Sequence, residues 1–174
     1  MEIRLRPYQL SDQFALALMA NNAKVSANLK DIFPFPYTNE DAANYLNFII
    51  QAKTNILEFA IVVDDIFAGA ISVTFGQDIY SHTAEIGYWL GEPYWHQGIM
   101  KKAVKMMIEF IFENYDTKII TAEIFSRNIG SKKVLLANNF EYLATLKKRA
   151  YKRGELLDLE LFELTREKYL DSQS

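Results

Sequence analysis

Along this chain the spacing of hydrophobic and polar positions changes period several times, and each change marks an element. Ile3–Arg6 alternates and stops at Pro7, which predicts a short first strand. A helical period opens at Ser11-Asp12, with Phe14, Leu18 and Met19 on its apolar side. Thr38 or Asn39 caps a second helix whose apolar face is Ala42, Tyr45, Leu46 and Ile49. Leu57–Val63 and Phe67–Phe75 read as strands joined by a turn at Asp64-Asp65, and Ala84–Leu90 (AEIGYWL) as another strand. Ile99–Tyr115 is a long amphipathic helix with Met100, Val104, Met107 and Ile111 inward and Lys101, Lys105, Glu109 and Glu113 outward.

Lys118–Phe125 is a further strand, and a helix capped by Asn128 runs to Asn138, with Asn139 suited to the left-handed position that ends it. Glu141–Tyr151 and Glu155–Leu164 form a closing hairpin about Lys152-Arg153-Gly154. The order β-α-α-β-β-β-α-β-α-β-β mixes local hairpins with strand-to-helix units, which is the pattern of a mixed α/β (α+β) sheet covered by helices. No repeat, low-complexity stretch or Gly/Ser/Pro-rich linker divides the 174 residues, so the expectation is one domain, 1–174.

Composition narrows the chemistry. Half of the residues are apolar and 14% aromatic, enough for a large core. The net charge of −3 argues against a nucleic-acid binder acting through a positive field. The basic run Lys147, Lys148, Arg149, Lys152 and Arg153 reads as a solvated hairpin tip diluted by Glu155 and Asp158. The chain has no cysteine, and its only two histidines, His82 and His96, are well separated; no thiol nucleophile and no metal centre is expected. Without a leader-like N-terminus or a long apolar run, the expectation is a cytoplasmic protein without membrane contact.

The stretch YWHQGIMKKAV, Tyr94–Val104, opens the long helix poorly. It has no Ser, Thr, Asp or Asn cap and carries Lys101 and Lys102 where the helix dipole is already positive. A phosphate bound at the free amides would turn both lysines into favourable groups, and Gly98 leaves room for its approach. The other reading is a tight strand-to-helix turn with two solvated lysines. No G-x-x-x-x-G-K-[ST], G-x-G-x-x-G or G-x-S-x-G pattern is present, which disfavours P-loop, dinucleotide-binding and hydrolase chemistry.

AEIGYWL, YWHQGIMKKAV and NIGSKKVLLANNFEYL, in this order and spacing, resemble the GNAT superfamily of acetyl-CoA-dependent N-acetyltransferases. With IRLRPYQLSD and PFPYTNEDAANYL, the closest type is the RimJ/RimL-like branch, which acetylates protein N-terminal amines and, in relatives, small amines. The resemblance implies a twisted, mostly antiparallel sheet of about six to seven strands flanked by about four helices. It also implies acetyl-CoA as co-substrate, an amine acceptor and a homodimer. The pyrophosphate motif aligns with Trp95-His96-Gln97-Gly98-Ile99-Met100, keeping the glycine and departing at Trp95 and Met100. The resemblance therefore assigns coenzyme contacts to the backbone of His96, Gln97, Gly98, Ile99, Met100 and Lys101, and to Trp89, Leu90 and Gly91 for a pantetheine arm laid like an extra strand.

By the same resemblance Asn128 contacts pantetheine and Ser131 donates to the departing sulfur; the plainer alternative is an N-cap and a first-turn polar residue. Glu85 shares a strand face with Gly87 and Trp89. It is either the base that takes the acceptor's proton or a carboxylate paired at the sheet surface. An α-amine of pKa about 8 needs only a modest base, unlike a lysine near 10.4, which favours a protein N-terminus over a lysine or polyamine. A coenzyme-binding module without turnover remains the competing class. The aromatic loop Phe33–Tyr37 either walls the acceptor or packs on the sheet.

Overall fold

The computed structural model describes residues 1–51 and 54–173. Its strands are β1 (Ile3–Arg6), β2 (Ile56–Val63), β3 (Ile66–Phe75), β4 (Thr83–Leu90), β5 (Ile119–Phe125), β6 (Glu141–Lys152) and β7 (Glu155–Thr165). Its helices are α1 (Gln13–Ala20), α2 (Ala23–Ser26), α3 (Asn39–Gln51), α4 (Ile99–Asn114), α5 (Ile129–Leu136) and α6 (Arg166–Gln173). The strands form one open, mostly antiparallel sheet in the order β1-β2-β3-β4-β5-β7-β6, as expected of the fold. The hairpin turns use residues that tolerate left-handed backbone: Asp64 and Asp65 at φ 48 and 66°, Arg153 and Gly154 at φ 52 and 83°.

Two compact units are traced by the chain: Met1–Ser72 with Tyr88–Ala103, and Val73–Gly87 with Val104–Ser174. In the first, Tyr8, Leu16, Ala20, Tyr37, Ala42, Leu46, Ala60, Phe67 and Ala70 make one buried cluster. Thr38 is the cap of α3 and forms a reciprocal box with Asp41: the Asp41 N–H donates to Thr38 Oγ1 at 3.1 Å and the Thr38 N–H to Asp41 Oδ2 at 2.7 Å. The Thr38 hydroxyl, which donates to the same Oδ2 at 2.6 Å, and then the Thr38 N–H hold the Asp41 carboxyl below the usual carboxylate range.

The face of α1 differs from the expectation. Leu16 and Ala20 are buried, whereas Phe14 and Leu18 are 75% and 71% exposed. QFALALMA is apolar at every position after Gln13, so its period selects no face. The helix follows Asp12, which a fork of Arg6 grips at 2.8 and 2.6 Å, and a contact with β1 thus precedes the helix.

In the second unit Val104, Met107, Ile108 and Ile111 of α4 are buried, as are Ile120, Leu135, Phe140, Phe162 and Leu164. Asn139 takes φ 64° after α5, and the Phe140 N–H reaches the Leu135 carbonyl at 3.1 Å, a Schellman closure. Two helices were not foreseen. Asn22 caps the single turn of α2 through the N–H groups of Lys24 and Val25. α6 begins where β7 ends, and none of its residues is buried.

Arg166, its first residue, donates to the carbonyls of Thr117, Phe112 and Tyr115 at 2.8, 2.7 and 2.5 Å. It supplies the positive charge that the last turn of α4 lacks. The basic hairpin is not one solvated tip: Lys152 is buried, and Lys147 pairs with Asp158 at 3.0 Å. Among the described residues, no helix is long and apolar enough to cross a membrane and no group of three or more His, Asp or Glu side chains could hold a metal ion.

Candidate active site

The expected anion loop lies between β4 and α4 in the first unit. A single 3₁₀ turn at Glu92–Tyr94 leads into it, with Pro93 in that turn. Three bonds hold the approach. The Trp95 indole N–H donates to the Leu90 carbonyl at 2.7 Å, the Gln97 side-chain amide to the Pro93 carbonyl at 2.8 Å, and the Gly91 N–H to the Ala68 carbonyl at 2.8 Å. Lys24 pairs with the Glu92 carboxylate and Asn22 donates to it at 2.7 Å, together keeping it below its ordinary pKa.

His96 and Gly98 both take positive φ, 60 and 74°, on either side of Gln97. Such an alternation curls successive amides toward a common point. A Cβ placed on Gly98 would meet no atom within 4 Å, so the space over it is open. The Lys102 N–H bonds the Gly98 carbonyl at 3.2 Å and starts the helix ladder. Among the described residues no protein acceptor engages the amides of His96, Gln97, Gly98, Ile99 and Met100. Ile99 and Met100 bury their side chains while Lys101 and Lys102 are exposed. The loop therefore has an anion cradle's donors, with the side chains of Ile99 and Met100 turned into the core.

β4 supplies the neighbouring edge. Its parallel ladder with β5 covers Thr83/Ile119, Ala84/Ile120 and Glu85/Thr121 and stops there, although both strands continue. Gly69 of β3 lets β4 approach: a Cβ there would lie 2.3 Å from the Trp89 carbonyl oxygen. The Trp89 side chain is half-buried between Phe33 and Phe67, at ring distances of 5.4 and 6.0 Å, so it packs as an aromatic. Of the backbone groups assigned to a pantetheine arm, the Leu90 carbonyl already accepts from Trp95 and the Gly91 N–H is taken by Ala68. What Leu90 can still offer is the second lone pair of its carbonyl and whatever its N–H makes.

The remaining expected residues belong to the second unit. Glu85 is exposed and sits opposite Thr121 at the last position where β4 pairs with β5. Asn128 does cap α5, its Oδ1 accepting from the Ser131 N–H at 3.1 Å, and Ser131 is 8% exposed in the first turn. Lys132 follows and pairs with the buried Glu160 at 3.0 Å. The contacts of Trp95 and of Asn22 and Lys24 with Glu92 were not legible beforehand. Each joins residues through a bend whose path the local pattern does not set.

An open mixed sheet in which a strand, a glycine loop and a helix start leave amides unengaged defines a mixed α/β protein. The chain belongs to the acetyltransferase (GNAT) domain family, whose profile matches residues 2–141. Among curated relatives it is similar to the uncharacterized N-acetyltransferase p20 of Bacillus licheniformis, 26% identical over 96% of this chain and 94% of that one. It is also similar to the ribosomal-protein-serine acetyltransferase of Escherichia coli, 29% identical over 73% of this chain and 68% of that one. Among solved structures, RimL, a ribosomal α-N-protein acetyltransferase in complex with coenzyme A, superposes with TM-score 0.84 at 22% identity over 95% of both chains. Mycobacterium smegmatis RimJ, in complex with a coenzyme A disulfide, gives 0.85 at 21% identity over 95% of this chain and 83% of that one. At these identities the structural likeness establishes the fold.

Proposed function

We propose that this protein is a cytoplasmic acetyltransferase that moves an acetyl group from acetyl-CoA directly to the α-amine of a protein N-terminus, the 1–174 chain acting as one domain. The observation that carries the reading is the set of unengaged amides from His96 to Met100 over the open space at Gly98. A diphosphate there would accept from these amides and draw on Lys101 and Lys102. The interrupted β4–β5 ladder supports an extended arm lying beside β4, next to Trp89 and Leu90.

The amine nitrogen attacks the thioester carbonyl, an oxyanion forms facing a β4 amide near Trp89, and the C–S bond breaks to release coenzyme A as thiol. Glu85 takes the proton that the ammonium must lose, directly or through water. Ser131 donates to the departing sulfur and Asn128 contacts the arm. The named activities of the relatives, a ribosomal-protein-serine acetyltransferase and RimL, support a protein α-amine over a small amine. Thiol release from acetyl-CoA should follow addition of short peptides with free N-termini and be absent with their N-acetylated forms. Glu85→Gln and Ser131→Ala should each lower kcat about ten- to a hundredfold while coenzyme binding persists. Coenzyme binding without any thiol release for peptides, polyamines or amino acids would leave a binding module instead.

A further inference from the structure

Glu58 on β2 belongs to no part of the mechanism above, yet a phenol holds each of its carboxylate oxygens. The Tyr8 phenol, just beyond β1, donates to Oε1 at 2.8 Å, and the Tyr45 phenol of α3 donates to Oε2 at 2.5 Å. Tyr8 lies edge-on to Tyr45 and next to Phe67, both at 6.0 Å between ring centres. Phe67 reaches Trp89 at 6.0 Å, and Trp89 reaches Phe33 at 5.4 Å. One aromatic wall thus runs from the carboxylate to the β4 residue beside the proposed reaction centre.

Tyr8 and Phe67 are buried, while Glu58, Tyr45, Phe33 and Trp89 are half-buried and keep an open side. Among the described residues no lysine, arginine or histidine pairs with Glu58. Burial raises its carboxyl pKa, against the two phenol bonds, and the same burial raises Tyr8 and Tyr45, which remain donors. Two phenols occupy one direction on each oxygen, so the carboxylate retains acceptor capacity. A desolvated carboxylate without a counter-charge is unfavourable, and an organic ammonium lying along the aromatic wall would supply one.

We infer that Glu58 and this aromatic wall bind a cationic ammonium group of the amine acceptor, and so select acceptors that carry positive charge. The inference rests on the acetyltransfer reading for what the ammonium belongs to. The site itself is tested by binding. Ala-Lys-Ala amide and Ala-norleucine-Ala amide, which share the reacting α-amine and differ only in a second ammonium, are titrated into the coenzyme A complex, read by the fluorescence of Trp89 and Trp95. Wild type should bind the lysine peptide saturably and at least about tenfold more tightly than the norleucine peptide. Glu58→Gln should weaken binding of the lysine peptide about ten- to a hundredfold, with coenzyme A affinity changed by less than about twofold. Tyr45→Phe, which keeps the ring, should weaken it less.

Should Glu58→Gln fail to bind coenzyme A and hence to fold, Glu58→Asp carries the same comparison. Equal affinity of the lysine peptide in wild type and the Glu58 variant, or equal binding of the norleucine peptide by wild type, overturns the inference. Saturable binding without thiol release would leave the ammonium site standing and remove the acetyltransfer reading. Thiol release with an unchanged peptide KM in Glu58→Gln would do the reverse.

Discussion

Replacing Gly98 with alanine separates an anion cradle from a simple turn. The residue sits at φ 74°, where a Cβ is disfavoured by about 1–2 kcal/mol, and no protein atom lies within 4 Å of that Cβ. The folded protein should therefore lose only this conformational amount, seen as a lower urea midpoint with an unchanged slope. Coenzyme binding should suffer more, because the methyl group would occupy the space through which a diphosphate reaches the amides. A charge-assisted hydrogen bond contributes about 1.5–3 kcal/mol, so displacing the anion from one amide raises the dissociation constant about ten- to a hundredfold. Gly98→Asn provides the control, since asparagine tolerates left-handed backbone: stability should largely return and affinity should not. Titration calorimetry with coenzyme A measures the affinities. A Gly98→Ala protein that is destabilised by the expected amount yet binds coenzyme A like wild type would refute the cradle.

Arg166→Ala should destabilise the protein by about 2–3 kcal/mol in urea unfolding, because three carbonyls around the end of α4 lose a charged donor; a shift under 0.5 kcal/mol would show that water replaces it. Lys132→Met should cost about 2–3 kcal/mol by leaving Glu160 buried without its partner, and Lys132→Met combined with Glu160→Leu should recover most of that loss. Burial raises the Glu58 carboxyl above its ordinary 4.5, so the native state holds that proton to higher pH than the unfolded chain does. Its contribution to stability is therefore present below about 4.5 and declines as pH rises through the raised value. Calorimetric melting of Glu58→Gln should show less decline over this range than wild type, and parallel profiles would count against a raised Glu58.

Much of the architecture was legible where neighbours in sequence decide it. β1 to β5 follow alternating or continuous apolar runs, and their turns carry residues that accept positive φ, such as Asp64, Asp65 and Gly154. The inward face of α4 and the closure at Asn139 were equally local. The glycine loop was visible through its own mismatch, two lysines at an uncapped helix start. The face of α1 was not visible, since an octamer apolar at every position after Gln13 carries no directional signal and the Arg6–Asp12 pair precedes it. α2 was missed as a single turn held by one cap, and α6 because its mostly polar sequence sets no apolar face.

What the sequence determined alone, then, is the order of elements, their local ends and the place of the strand–glycine–helix unit. These depend on backbone preferences and periods that act over a few residues. Tertiary structure alone decided that the loop amides stay unengaged, that the Leu90 carbonyl goes to Trp95, and that Lys152 is buried within a basic run. It also decided that Tyr8, 50 residues from Glu58, closes on the same carboxylate as Tyr45. Such contacts depend on where distant segments meet, and no local period records that meeting.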